Sequence, residues 1–178
     1  MSPQSMFKPA LKVFLVYLVF MLMYAAYRFF PVFPLSIVCG VSESTFQHFK
    51  ATFFAFLIVD LIEFLVFRKR IQAVSGFWHA RLLAAVVSPW PVFLLWYIAP
   101  ALYGQFHPVV WEILYANGIT ILATAVTVTL ERGFLQMTFT RALSGVVWAL
   151  FGVSILLYMV FTFSHLPWAD VFVEQPWR

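Results

Sequence analysis

The chain has 178 residues, of which 63% are apolar and only 10% charged. A soluble domain usually carries about 25% charged residues, so both a water-covered globule and a disordered chain are poor fits. The net charge of +4 comes from scattered lysines and arginines that form no stripe for a phosphate backbone, which argues against nucleic acid as a partner. Cys39 is the single cysteine and leaves no intramolecular disulfide and no thiolate metal site. The composition fits an all-α integral membrane protein whose first partner is the lipid bilayer.

A membrane span needs roughly 20 mostly apolar residues. Five stretches meet that requirement, at residues 13–30, 46–67, 82–103, 109–130 and 142–164. They predict a bundle of five transmembrane helices in one domain covering residues 1–178. The first resembles a signal peptide in its flanking Lys8 and Lys12, but its apolar run is long. Tyr24-Ala25-Ala26-Tyr27-Arg28 is also a poor cleavage site, so it reads as a retained helix.

The second stretch opens with Ser42-Glu43-Ser44-Thr45-Phe46-Gln47-His48-Phe49-Lys50. Ser44 and Gln47 have the spacing of a capping box, and Glu43 complements the positive end of a helix dipole. A cap does not require His48 or Lys50. Glu43, Gln47 and Lys50 share one helical face and Ser44 and His48 the next, while Lys50 has the length to snorkel to the interface. Glu43 and His48 are therefore candidate catalytic or binding residues. A Ser44–His48 nucleophile is the weaker alternative beside a serine cap.

The same nine residues resemble the signature of a family of small, uncharacterised bacterial five-helix membrane proteins. There, a segment close to Asn-Glu-Ser-Val-Trp-Glu-His-Leu-Lys opens the second helix. Glu43, Ser44, His48 and Lys50 match it, whereas Ser42, Phe46 and Gln47 replace its Asn, Trp and Glu. The resemblance implies a five-helix layout and the bacterial inner membrane, and names no activity.

Further along this stretch stand Asp60 and Glu63. Counting 1.5 Å per residue from Glu43, Asp60 falls roughly 25 Å down the helix. A carboxylate inside hydrocarbon costs at least about 2.5 kcal/mol on insertion scales, which marks Asp60 as a proton relay, ion path or structural anchor. Glu63 precedes Arg68, Lys69 and Arg70 within two turns, so a local ion pair or snorkelling accounts for it. Next, Phe77-Trp78-His79-Ala80-Arg81 reads as an aromatic and basic anchor at the headgroups.

The third stretch carries Pro89, Pro91 and Pro100, each removing a backbone donor. Either it packs as a kinked helix, or Trp90, Trp96 and Tyr97 line a cavity. In the fourth, Ala116, Thr120, Ala123 and Thr127 recur at helical spacing, and in the fifth Gly145 and Gly152 stand seven apart; both patterns predict close helix approach. Asn117, about one and a half turns beyond Glu112, either faces the same outer cavity or hydrogen-bonds to a neighbouring helix. The tail from residue 168 to 177, with two tryptophans and two acids, reads as an interfacial segment or lid.

The charge distribution sets a direction. With the N-terminus inside, Lys8, Lys12, Arg68, Lys69, Arg70, Arg81, Arg132 and Arg141 fall at inner ends, and Arg28, Lys50 and Arg178 at outer ends. The excess of inner basic residues predicts an N-in, C-out chain. His48, His107 and His165 then lie at the outer ends beside Glu43, Glu112 and Asp170. Imidazole and carboxylate ligate divalent metals when thiolates are absent. His48, His107, His165 and Asp170 are thus candidate ligands, although no His-Glu-x-x-His spacing enforces a site.

Three readings follow. A small solute or ion is bound or transported through Glu43, Ser44, His48, Lys50, Asp60, Glu112 and Asn117. Alternatively, an outer site of histidines and carboxylates, with or without a metal, acts on a lipid or amphiphile. Or the chain is a structural subunit, tied to another membrane protein or to a second copy of itself.

Overall fold

The computed structural model describes residues 7–71, 76–104, 109–164, 166 and 168–172. These fold into seven helices: α1 (Pro9–Phe29), α2 (Phe33–Val38), α3 (Thr45–Ile71), α4 (Phe77–Val87), α5 (Pro89–Tyr103), α6 (Val109–Phe134) and α7 (Arg141–Phe163). A 3-10 turn, Asp170–Phe172, follows. No strand occurs among the described residues.

Four helical stretches are long and apolar enough to cross a membrane: Pro9–Phe29, Phe77–Ile98, Val110–Phe134 and Arg141–Phe163. Their outward faces carry large apolar side chains, including Phe14, Leu22, Leu94, Leu122, Val153 and Leu156. In water such a surface would aggregate; against lipid tails it needs no cover. α3 is the exception in composition. It is 27 residues long, about 40 Å at helical rise, but Lys50, Asp60 and Glu63 interrupt its apolar run. All three are buried, because α3 is the central helix, packed by α1, α4 and α5. Phe53, Ala55, Phe56 and Val59 of α3 form the core with Val16, Phe20 and Met23 of α1.

Prolines divide the third apolar stretch into α4 and α5. Pro89 cannot donate to the Ala85 carbonyl four residues earlier. Ser88 takes its place, its hydroxyl donating to Ala85 O at 2.8 Å, so the chain bends without an orphaned acceptor. Gly76 starts α4 at φ +80°, a left-handed conformation that costs glycine little. The start of α7 is capped by Thr140, whose Oγ1 accepts from Leu143 N at 3.3 Å.

Of the two packing patterns expected from small residues, one is corrected. Gly145 and Gly152 face open space, with nothing within 4 Å of an added Cβ, so they serve no close approach. Thr120, Ala123 and Thr127 of α6 are buried, as their spacing predicts. α3 runs on through Arg68, Lys69 and Arg70 to Ile71, with Phe67 non-helical at φ −109° and ψ 20°.

Candidate functional site

Helices α1, α3 and α6 enclose polar groups at both ends of the bundle. At the end carrying the start of α3, Phe20, Met21, Tyr24, Glu43, His48, Ile113, Ala116, Asn117 and Thr120 line a cavity of about 180 Å³. Tyr24 and His48 are set by their helices to face each other, with Tyr24 Oη 3.0 Å from His48 Nδ1. The same Nδ1 lies 3.1 Å from the Ser44 carbonyl, one turn back on α3. A proton on Nδ1 therefore donates to Ser44 O; without it, Nδ1 accepts from the tyrosine. Phe20 and Trp96 stand at 5.9 and 6.0 Å from the imidazole, ring centre to ring centre.

Asn117 completes the lining from α6. Its Oδ1 accepts from Tyr17 Oη at 2.5 Å and its Nδ2 donates to Ile113 O at 2.7 Å. The mouth is mixed in character. Glu43 is exposed at the end of the bundle, and Met21 and Ile113 are exposed on its apolar flank. The packing of Tyr24 is tight on the far side. A Cβ at Gly40 would stand 2.5 Å from Tyr24 Cζ, so only glycine lets the α2–α3 connection pass behind the ring.

At the opposite end, α1, α3, α4 and α6 bring together Lys12, Asp60, Glu63, Arg81 and Glu131, all at most 1% exposed. Lys12 Nζ lies 2.5 Å from Asp60 Oδ1, 3.2 Å from Glu63 Oε2 and 2.6 Å from Glu131 Oε2. Arg81 Nη2 is 2.9 Å from Glu63 Oε2, its Nη1 pairs with Glu131, and its guanidinium covers the Phe77 ring at 4.8 Å. Phe7 N donates to Glu63 Oε1 at 3.0 Å. The three carboxylates have the mutual spacing of metal ligands, within 4.8 Å. The Lys12 ammonium already bonds one oxygen of each, so a protein cation stands where an ion would.

A polar row on α6 joins the two ends. Asn117, Thr120, Thr124, Thr127 and Glu131 alternate at three and four residues, which sets them on one helical face. Each of these threonines is buried and donates to a carbonyl four residues back, at 2.7, 2.7 and 3.0 Å.

Several sequence expectations change on this geometry. Lys50 does not snorkel: it is fully buried and donates to Ser36 O at 2.8 Å and Thr162 Oγ1 at 3.0 Å, tying α3 to α2 and α7. No capping box forms at Ser44, whose carbonyl accepts from Gln47 N and His48 N. Gln47 Oε1 instead accepts from Val41 N at 3.4 Å. Nor is there a Ser44–His48 nucleophile, because His48 meets the Ser44 carbonyl and the hydroxyl accepts from Ser42 Oγ. Glu63 pairs with Lys12 and Arg81 rather than with Arg68, Lys69 or Arg70. Arg81 is no headgroup anchor, since it lies at most 1% exposed within the cluster.

Of the other candidates, Glu112 is half-buried in the first turn of α6 and does not line the cavity. Neither do Trp90 or Tyr97, and Trp90 faces outward at 61% exposure. His107 and His165 lie outside the described residues, as does the Asp170 side chain. Of the candidate ligands His48, His107, His165 and Asp170, His48 alone is therefore described with its side chain. Phe172 of the 3-10 turn packs on Phe46 at 4.8 Å and on Phe161 at 5.4 Å, so this part of the tail covers helix ends.

The fold and site define a class: an all-helical chain with four helices fit to cross a membrane, a polar cavity at one end and a buried charge cluster at the other. Compared with family models, curated proteins and solved structures, the chain matches none.

Proposed function

We propose that the protein binds and carries a small solute across or into the membrane, and that the cavity between α1, α3 and α6 receives it. The observation that carries this reading is the convergence of Tyr24, Glu43, His48 and Asn117 on one volume of about 180 Å³. A cavity near 150 Å³ takes a benzene-sized molecule, so the solute is small. The Glu43 carboxylate and the rings of Phe20 and Tyr24 favour a positive charge. The exposed Met21 and Ile113 favour an apolar portion reaching from the flank. A short alkylammonium ion combines these properties.

In this reading α3 is a fifth span, shielded from lipid by its neighbours, and the order of passes is α1, α3, α4 with α5, α6 and α7. The orientation is N-in, C-out. Lys8, Arg68, Lys69, Arg70, Arg132 and Arg141 are exposed at the Lys12 end, against Arg28 at the other among the described residues, which supports that direction by the positive-inside rule. Lys12 and Arg81, buried in the cluster, add nothing to that asymmetry. The bacterial inner membrane fits the same layout and rests on the resemblance at Ser42 to Lys50.

The test is calorimetric titration of the detergent-purified protein with butylammonium, with butanol as the uncharged control. Saturable binding of butylammonium, lost in Glu43→Gln and in His48→Ala, is the expected result. Absence of saturable binding, or binding undiminished in both variants, would overturn it. A second reading keeps the same residues: His48 with Glu43 acting on an amphiphile as an enzyme, favoured by the mouth on the apolar flank. Turnover of such a ligand, instead of its recovery intact after dialysis, would select it.

A further inference from the structure

The charge cluster does not balance. Lys12 and Arg81 bring two positive charges, while Asp60, Glu63 and Glu131 bring three carboxylates, all at most 1% exposed. A fully ionised cluster would leave one net negative charge away from water, which is strongly unfavourable. The groups facing Asp60 are Lys12 from α1, Glu63 from its own helix, Arg81 from α4 and Glu131 from α6. Among the described residues no other charged side chain is within ion-pair distance of it.

Hydrogen bonding locates the imbalance. The Lys12 ammonium has three donors, and each goes to a different carboxylate. Arg81 Nε lies 3.8 Å from Asp60 Oδ1, beyond hydrogen-bond reach. Asp60 Oδ2 is left with no partner in a side chain 1% exposed. A metal ion has no room at the meeting point of the three carboxylates, where the ammonium sits. A proton needs no room. Placed on Oδ2, it neutralises the surplus charge and turns an unsatisfied acceptor into a donor. Oxygens of Glu63 and Glu131 lie within 4.8 Å of one of Asp60, so the negative charge that favours a proton on this carboxyl is close by.

We propose that this cluster is a proton-binding site, holding one exchangeable proton from the aqueous phase on Asp60. Its existence does not depend on what the cavity at the other end binds. Two consequences are specific. Asp60→Asn is the isostere of the protonated acid, with an amide in place of the hydroxyl, so it folds as well as the parent. Glu131→Gln removes one carboxylate charge elsewhere in the cluster, so the remaining two match the two cations and Asp60 gives up its proton.

Infrared spectroscopy of the full chain in lipid, at neutral pH, tests this through the carbonyl stretch of a protonated carboxyl group. The band is expected in the parent protein, absent in Asp60→Asn and absent in Glu131→Gln. It should also disappear from the parent as pH rises while the amide bands stay helical. No such band in the folded parent protein would overturn the proposal, as would a band that survives in Asp60→Asn. The parent titration alone decides if either variant fails to fold.

Discussion

The two ends of the bundle use polar residues in opposite ways. At the Lys12 end, five ionisable side chains from four helices fill their own space, and cations of the protein occupy the position a ligand would take. At the His48 end, the polar groups are mostly neutral, come from α1, α3, α6 and the α2–α3 connection, and leave a cavity between them. Tyr24 and Lys12 are twelve residues apart on α1, so the two sites stand about 18 Å apart along one helix. The contrast teaches that a polar residue in an apolar helix is structural where its partners close around it, and available to a ligand where they do not.

The sharpest way to break the comparison is at the charged end. Arg81→Met leaves three carboxylates facing one ammonium, and loss of one partner from a buried ion cluster costs about 3–5 kcal/mol. The variant is expected to lose helical signal well below the parent's thermal midpoint in detergent. At the cavity end, Gly40→Ala drives a methyl group into the Tyr24 ring. Overpacking of this kind costs about 1–3 kcal/mol, and because Tyr24 must move, butylammonium binding should weaken together with stability. Tyr24→Phe removes only the hydroxyl facing His48, at about 1 kcal/mol; titration should register a weaker site in a nearly unperturbed fold. Gly145→Ala fills open space and should shift stability by no more than about 0.5 kcal/mol. A large loss there would place an unseen partner against α7.

Much of the helical layout was legible in the sequence, because long apolar runs have no other stable form in lipid. Asp60 was legible because a carboxylate within an apolar run has to be explained. The segment from Ser42 to Lys50 pointed to His48 and Glu43, and Asn117 lines the cavity beside them without the Glu112 it was grouped with. The cluster itself was missed. Lys12, Asp60, Arg81 and Glu131 are far apart in the chain, and counting basic residues by helix end assigns Lys12 and Arg81 to the interface. The overlooked signal was balance, since buried Asp60 and Glu63 call for cations at the same depth, and Lys12 and Arg81 stand inside or beside apolar runs. Lys50 was misread in the same way. Its length permits snorkelling, but only the fold reveals that α2 and α7 supply oxygen acceptors. Gly145 and Gly152 had a valid spacing, but neither meets a neighbour among the described residues.

The division of roles between the two ends can be tested by thermal melting of Lys12→Met beside His48→Ala in the same detergent. In a chain of this size about 1 kcal/mol corresponds to roughly 2–4 °C. Lys12→Met is expected to lower the midpoint by roughly 10 °C or more, and His48→Ala by less than about 4 °C. Equal losses in the two variants would contradict this division, since His48 would then be as much a structural tie as Lys12.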